Sequence, residues 1–372
     1  MPEDRGSIPP GSPARPGRST LHGFEQLASH MGVPLPQKQA PPPAEEPEDA
    51  SDTDLFPALR AHRFDASAAD DLRDVARGVA ERSQGHFTAA TPHRGHGRRP
   101  RGEDAAEPPE VEAVPEILDT LGLDPLGYEP FPHRFTLRVE PEVVAGLPPV
   151  PEGYGFKGGV ARKVLARTLR HNAFTLPVRD IDLLRTADTP GDEDHRLAQL
   201  YMPDDLTLGE FGIEVLSDEA AYMNSRELTV NQLVLVGDEL TVTHACLLDT
   251  LGLTLRVTGA HLTRTRGYVH PGVALKALRF AANLTAGGSE PRVLPFRVTP
   301  RRMKHGFDFY FALHLSRVYE NGEAVAGVYL RLAADRGFLK RARLPEDATA
   351  ASAARILKKR LAAYHLDFPP GV

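Results

Sequence analysis

Apolar patterning begins late in this chain. From Met1 to about Pro115 the sequence is rich in proline, alanine and charge, as in PQKQAPPPAEEPEDASDTD and RGHGRRPRGEDAAEPPE. Such composition buries too little apolar surface to offset the entropy of ordering a backbone. A core can therefore be assembled only from the residues beyond it, and residues 1–113 are predicted to be a mostly disordered arm. Two islands interrupt it. LHGFEQLASHMG places Leu21, Phe24, Leu27 and Met31 at helical spacing, and DASAADDLRDVARGVAERSQG opens on acids and closes on glycine. Short isolated helices hold poorly in water, so both are expected to be transient, the alternative being docking on the folded part or on a protein partner.

The remaining length suffices for one or two domains. A net charge of −6 gives no global basic footprint, so a nucleic-acid partner would need a local patch. The single cysteine, Cys246, excludes a disulfide framework and a cysteine zinc site, and suits a reducing compartment. The first twenty residues lack the apolar core of a secretory signal, and no apolar run reaches transmembrane length. These features predict a soluble, cytoplasmic protein with no membrane partner.

Order is expected from Val114. VPEILDTLGL reads as a short helix and HRFTLRVEP as a strand. In GYGFKGGVARKVLARTL, residues Val160, Val164, Leu165 and Leu169 form one stripe, which puts Gly158 and Gly159 at a helix N-terminus. Free backbone N–H groups and the positive end of the helix dipole favour an anion there. VRDIDLL is short and apolar around its acids, which predicts a strand with Asp180 and Asp182 on one face. Like charges held together repel unless a cation lies between them, and paired carboxylates with substrate phosphates are a common way to hold Mg²⁺. FGIEVLS predicts a further strand with Glu214 at its centre, a candidate third acid. MNSRELTVNQLVLVGDELTV then reads as a polar lead-in, a strand, a turn at GDE and a second strand, and HPGVALKALRFAANL as a helix starting near Pro271.

In this order the motifs resemble those of the polymerase-β-like nucleotidyltransferases, and most of all the head domain of bacterial poly(A) polymerases and class II tRNA CCA-adding enzymes. The glycine pair with Arg162-Lys163, the D-x-D of Asp180 and Asp182, the stretch Ser225 to Gln232 and the run Lys276 to Ala282 carry the resemblance, over roughly Phe156 to Leu284. It implies an α+β fold, a mixed sheet flanked by helices, over residues 114–286. It implies Mg²⁺ held by Asp180, Asp182 and Glu214 as the catalytic acids. An NTP would be bound by Gly158, Gly159, Arg162, Lys163, Arg226, Asn231 and Arg279. An acceptor hydroxyl would attack the α-phosphate with loss of pyrophosphate, the first candidate acceptor being an RNA 3′ end such as that of tRNA.

The departures are specific. The stretch RHNAFTLP lengthens the glycine-to-D-x-D spacing, Lys163 stands where the family has an acid, and Ser225 stands where it has arginine. The Glu-Asp-x-x-Arg template that selects the base has no match, which leaves base preference open. Residues 287–372 are predicted as a small α/β extension. Alternation through Phe307, Phe309, Phe311, Leu313 and Leu315, then Asn321-Gly322, reads as a β-hairpin, and ASAARILKKRLAAYHL as a basic amphipathic helix. Arg301, Arg302, Lys304, Lys358, Lys359 and Arg360 are candidate RNA contacts, a solvated face being the competing reading. His244, His261 and His270 show no ligand spacing. Two alternatives to RNA extension stay open: a non-catalytic RNA- or protein-binding relative, and a toxin-like transferase that modifies tRNA or protein.

Overall fold

The computed structural model describes residues 73–80, 109–130, 132–171, 174, 176–178, 181–201, 213–262, 268–298 and 306–362. Helix α1 (73–80) falls in the second island of the N-terminal segment, and it is not an unsupported helix. Ala76, Val79 and Ala80 are buried in the core beneath the sheet, and Arg77 donates to the carbonyls of Gly252 at 2.7 Å and Glu290 at 2.9 Å. The expectation of a transient helix is corrected at 73–80, because tertiary burial supplies what local propensity cannot. The first island, LHGFEQLASHMG, lies outside the described residues.

Helix α2 (Pro109–Thr120) begins slightly before the expected Val114 and leads into strands β1 (Pro125–Pro130) and β2 (His133–Arg138). After the short α3 (Pro141–Ala145) come β3 (Tyr154–Phe156) and α4 (Gly158–Thr168), then β4 (Leu183–Thr186) and α5 (Asp194–Tyr201). Strand β5 (Glu214–Leu216), α6 (Glu219–Ser225), β6 (Leu233–Val236), β7 (Glu239–Thr243) and α7 (His244–Leu251) complete this part. The strands form one seven-stranded sheet in the order β1-β2-β7-β6-β3-β4-β5. Its ladders are antiparallel except for β4 with β5, which run parallel. Side chains alternate across it as the pleat requires: Leu183, Leu233 and Leu235 enter one core with α4 and α7, while Leu184 and Val234 join Leu216, Tyr222 and Met223 on the other face.

Two short parallel pairs come next, β8 (Thr254–Leu255) with β10 (Arg292–Val293) and β9 (Tyr268–Val269) with β11 (Arg297–Val298). Helix α8 (Pro271–Ala286) runs between them, with Pro271 in its first turn and the His270 side chain accepting from the Gly272 amide as its cap. It packs on α9 (Gly306–Tyr319) and α10 (Glu323–Asp335), and α11 (Phe338–Arg341) and α12 (Ala350–Ala362) finish the helical layer.

The expected β-hairpin over Phe307 to Leu332 is therefore corrected to a helical hairpin. Its aromatics do alternate, but the large apolar side chains that are fully buried are Phe311, Leu315 and Val318, spaced four and three residues apart along one helix stripe. Asn321-Gly322 is a helix-to-helix turn in which Gly322 takes φ +110°. On α12, Leu357 and Leu361 are buried and Ile356 is half-buried.

Phe311 is fully buried, with its ring centroid 5.5 Å from that of Tyr329 on α10. Phe311→Ala is expected to destabilise the protein by about 3–5 kcal/mol, read as a shifted urea midpoint, because it opens a cavity between α9 and α10.

Candidate functional site

Where β3 ends, the Lys157 amide donates to the Asp182 carbonyl at 3.0 Å, and this bond carries the β3–β4 ladder to its edge. The chain then turns into α4 through Gly158, whose φ of +59° lies in the left-handed region. A Cβ on Gly158 would stand 2.3 Å from Asp182 Oδ2. The first glycine is thus required twice, by its backbone and by the carboxylate against it. The second is not: a Cβ on Gly159 would meet Val178 at 3.5 Å, an ordinary contact. Asp182 precedes β4 instead of lying within it, and Asp180 lies outside the described residues.

A cleft of about 570 Å³ opens here between the sheet and the helical layer. Gly158, Gly159 and Arg162 share one face of α4 and line it, whereas Lys163, the next residue around the helix, does not. Opposite them stand Lys276, Arg279 and Phe280 from α8, and Tyr310, His314 and Arg317 from α9. Among the described residues, six cations (Lys157, Arg162, Arg226, Lys276, Arg279, Arg317) line the cleft against two carboxylates, Asp182 and Glu227. A chain of net charge −6 thus concentrates positive charge at one place.

The cations are held, not loose. Arg162 lies over the Phe280 ring, 4.8 Å from its centroid, and donates to Asn231 Oδ1. Burial lowers its pKa to about 10, which leaves it charged at neutral pH. Lys276 donates to Glu227 at 3.1 Å; burial lowers the lysine, and the glutamate only partly offsets this. Arg226 stacks on Tyr222, 4.0 Å from its centroid, and grips Glu214 with two bonds of 2.8 and 3.1 Å. Lys157 adds a third bond to Glu214 at 3.0 Å. Burial pushes the Glu214 carboxyl up, but Lys157 and Arg226 outweigh it and hold it below its ordinary value. The His314 ring is buried with Nε2 against the Gly272 carbonyl at 3.2 Å. Burial first, then Arg279, Arg317 and Lys276, hold it well below the usual histidine range, so it stays neutral.

The structure thus brings Gly158, Gly159, Arg162, Asp182, Arg226, Asn231 and Arg279 to one cleft, with Glu214 behind Arg226 and Lys157. Among the described residues no group of three or more His, Cys, Asp or Glu side chains converges as a metal site would. Arg301, Arg302 and Lys304 lie outside the described residues; Lys358 and Lys359 are exposed on α12. Arg360 is committed elsewhere, donating to the carbonyls of Ala342 at 2.5 Å and Arg343 at 2.7 Å. Sequence reasoning missed Lys157, Glu227, Tyr310, His314 and Arg317. The last three recur at helical spacing, a signal hidden by the reading of that segment as a strand. No helix among the described residues is long and apolar enough to cross a membrane. The chain matches no protein-family model, no curated protein and no solved structure.

Gly158→Ala is expected to lower the melting temperature and displace Asp182, at a cost of about 1–2 kcal/mol for the left-handed backbone alone. Gly159→Ala, in a helical position with room for the methyl group, is expected to leave stability unchanged or raise it by up to about 1 kcal/mol. Equal melting shifts in the two variants would contradict the division of roles between the glycines. The depressed carboxyls of Glu214 and Glu227 contribute stability that is present above the ordinary glutamate value of 4.5 and lost as pH falls through their lower folded values. Glu214→Gln is therefore expected to flatten the loss of thermal stability between neutral pH and pH 3.

Proposed function

We propose that this protein is a Mg²⁺-dependent nucleotidyltransferase of polymerase-β-like type, transferring NMP from an NTP to an acceptor hydroxyl, with an RNA 3′ end as the first acceptor to test. One observation carries the reading: a left-handed glycine opens a helix directly against Asp182, at the mouth of a cleft that six cations among the described residues line. A triphosphate suits such a place, since free N–H groups at the helix start and fixed cations stabilise it where water is partly excluded.

The donor set fits a hard, oxygen-liganded cation in part. Gly158 leaves Asp182 Oδ2 a cradle that a side chain would fill, and Asp182 faces the cleft, so Asp182 together with Asp180 would hold Mg²⁺. Glu214 fits less well as a third ligand, because Arg226 and Lys157 occupy both of its oxygens. When bound, the ion would neutralise charge on the reacting phosphates.

The chain's own residues supply position and charge. Arg162, Lys276 and Arg279 would clamp the triphosphate from two walls of the cleft, and the stacked Arg226 would close one end. An acceptor oxygen then forms a bond to the α-phosphorus, the bond to the bridging oxygen breaks, pyrophosphate leaves, and the hydroxyl proton passes to solvent. Most of the rate would come from orientation and from fixed positive charge. The neutralised Glu214 favours a second reading, a relative that binds nucleotide or RNA without transfer.

The test is incubation with Mg²⁺ and each labelled NTP, with bulk RNA and bulk protein as acceptors, beside an Asp180→Ala/Asp182→Ala control. Label in RNA with the wild type alone is the expected result, the double variant losing at least a hundredfold. Label in protein would move the assignment to a modifying, toxin-like transferase. No label, with NTP binding retained, would leave the binding-only reading.

A further inference from the structure

A buried polar hub lies behind the cleft, and its side chains are not among those that line it. Asp249 on α7 and Arg256 form an ion pair whose side chains are 0% and 5% exposed, with bonds of 2.8 and 2.9 Å. A pair so deeply buried depends on further hydrogen bonds to offset its desolvation. Two further partners meet it. Thr229 Oγ1 donates to Asp249 Oδ2 at 2.5 Å, and Arg256 donates to the Ala80 carbonyl at 3.2 Å, a contact spanning 176 positions of the chain.

Each partner leads somewhere. Ala80 belongs to α1, which Arg77 fastens to the Gly252 and Glu290 carbonyls. Thr229 opens the short 3₁₀ turn Thr229–Asn231, and its amide is tied to the Arg256 carbonyl at 3.0 Å. The turn presents Asn231, only 6% exposed, whose Oδ1 receives the Arg162 guanidinium. Phe280 supports that guanidinium from α8. A line of direct contacts therefore joins an upstream helix to a cation of the cleft.

We propose that Thr229 is a positioning residue: its hydroxyl bond to the Asp249–Arg256 pair sets the turn that lets Asn231 hold Arg162 in the cleft, and α1 clamps the pair from behind. The proposal rests on the reading of the cleft as a polyphosphate site. Thr229 is buried and faces Asp249, so it has no direct role toward a ligand. What it controls is the placement of the side-chain amide oxygen Oδ1 of Asn231, two residues on. Valine keeps the volume and deletes the hydroxyl, whereas serine keeps the hydroxyl and deletes the methyl group.

The experiment measures inorganic tripolyphosphate binding to the full chain by calorimetry. It compares wild type, Thr229→Val, Thr229→Ser, Arg162→Ala and the Thr229→Val/Arg162→Ala pair, all well below their melting temperatures. Thr229→Val is expected to weaken binding about tenfold, Thr229→Ser to restore it, and the valine to cost nothing further once Arg162 is gone. Asn231→Ala gives a second background for the same cycle should Arg162→Ala fold poorly. Arg77→Ala, which loosens only the α1 clamp, is expected to weaken binding about threefold. Wild-type affinity in Thr229→Val, or a loss that persists undiminished in both the Arg162→Ala and Asn231→Ala backgrounds, would overturn the positioning role while leaving the polyphosphate site intact. Failure of the wild type to bind tripolyphosphate or any NTP would overturn both.

Discussion

The architecture of the cleft depends on one close approach. Lys157 must bond to the Asp182 carbonyl to carry the β3–β4 ladder to its end, and at that point α4 must start. Both requirements fall on Gly158, which turns the chain through φ +59° with a carboxylate oxygen where a side chain would begin. Any other residue would push Asp182 away or delay the helix. The face of α4 that carries Arg162 and the direction of Asp182 are both set by this junction.

A second constraint is electrostatic. Cations gathered around a cleft repel one another, and burial adds a desolvation cost to Arg162 and Lys276. The structure answers residue by residue: aromatic faces carry Arg162 and Arg226, Glu227 takes Lys276, and Glu214 takes Arg226 and Lys157. His314 stays neutral in the middle of Arg279, Arg317 and Lys276. The carboxylates keep the cations apart and aimed, so an incoming anion meets a field that is already oriented. Glu214 takes part in this balance with both of its oxygens, bonded by Arg226 and Lys157.

Much of the sheet half was legible because its elements are short and sharply punctuated. The glycine pair, the turn at Gly237-Asp238 and the proline at the head of α8 each mark a boundary by a local rule, and the structure keeps all three. The helical half was not. Phe307, Phe309 and Phe311 alternate and imitate a strand, while the stripe that decides the matter, Phe311 with Leu315 and Val318, becomes evident only against α8 and α10. With that segment misread, Tyr310, His314 and Arg317 could not be placed at the cleft. The pairings of Glu227 with Lys276 and of Arg226 with Glu214 were out of reach for another reason: they join elements whose adjacency is tertiary, and no local pattern records it.

Tertiary adjacency also revises the place of the upstream segment. Composition marks residues 1–113 as unable to build a core, and α1 builds none of its own. It adds Ala76, Val79 and Ala80 to a core that already exists, and it gives a carbonyl to an arginine that would otherwise carry a weaker set of bonds in the interior. A helix too short to stand alone becomes stable when its cost is shared with a buried ion pair needing a partner, and the pair in turn needs the helix. Loss of α1 would therefore be felt first where the ion pair's other ligand sits, at the Thr229–Asn231 turn and the wall of the cleft that it supports.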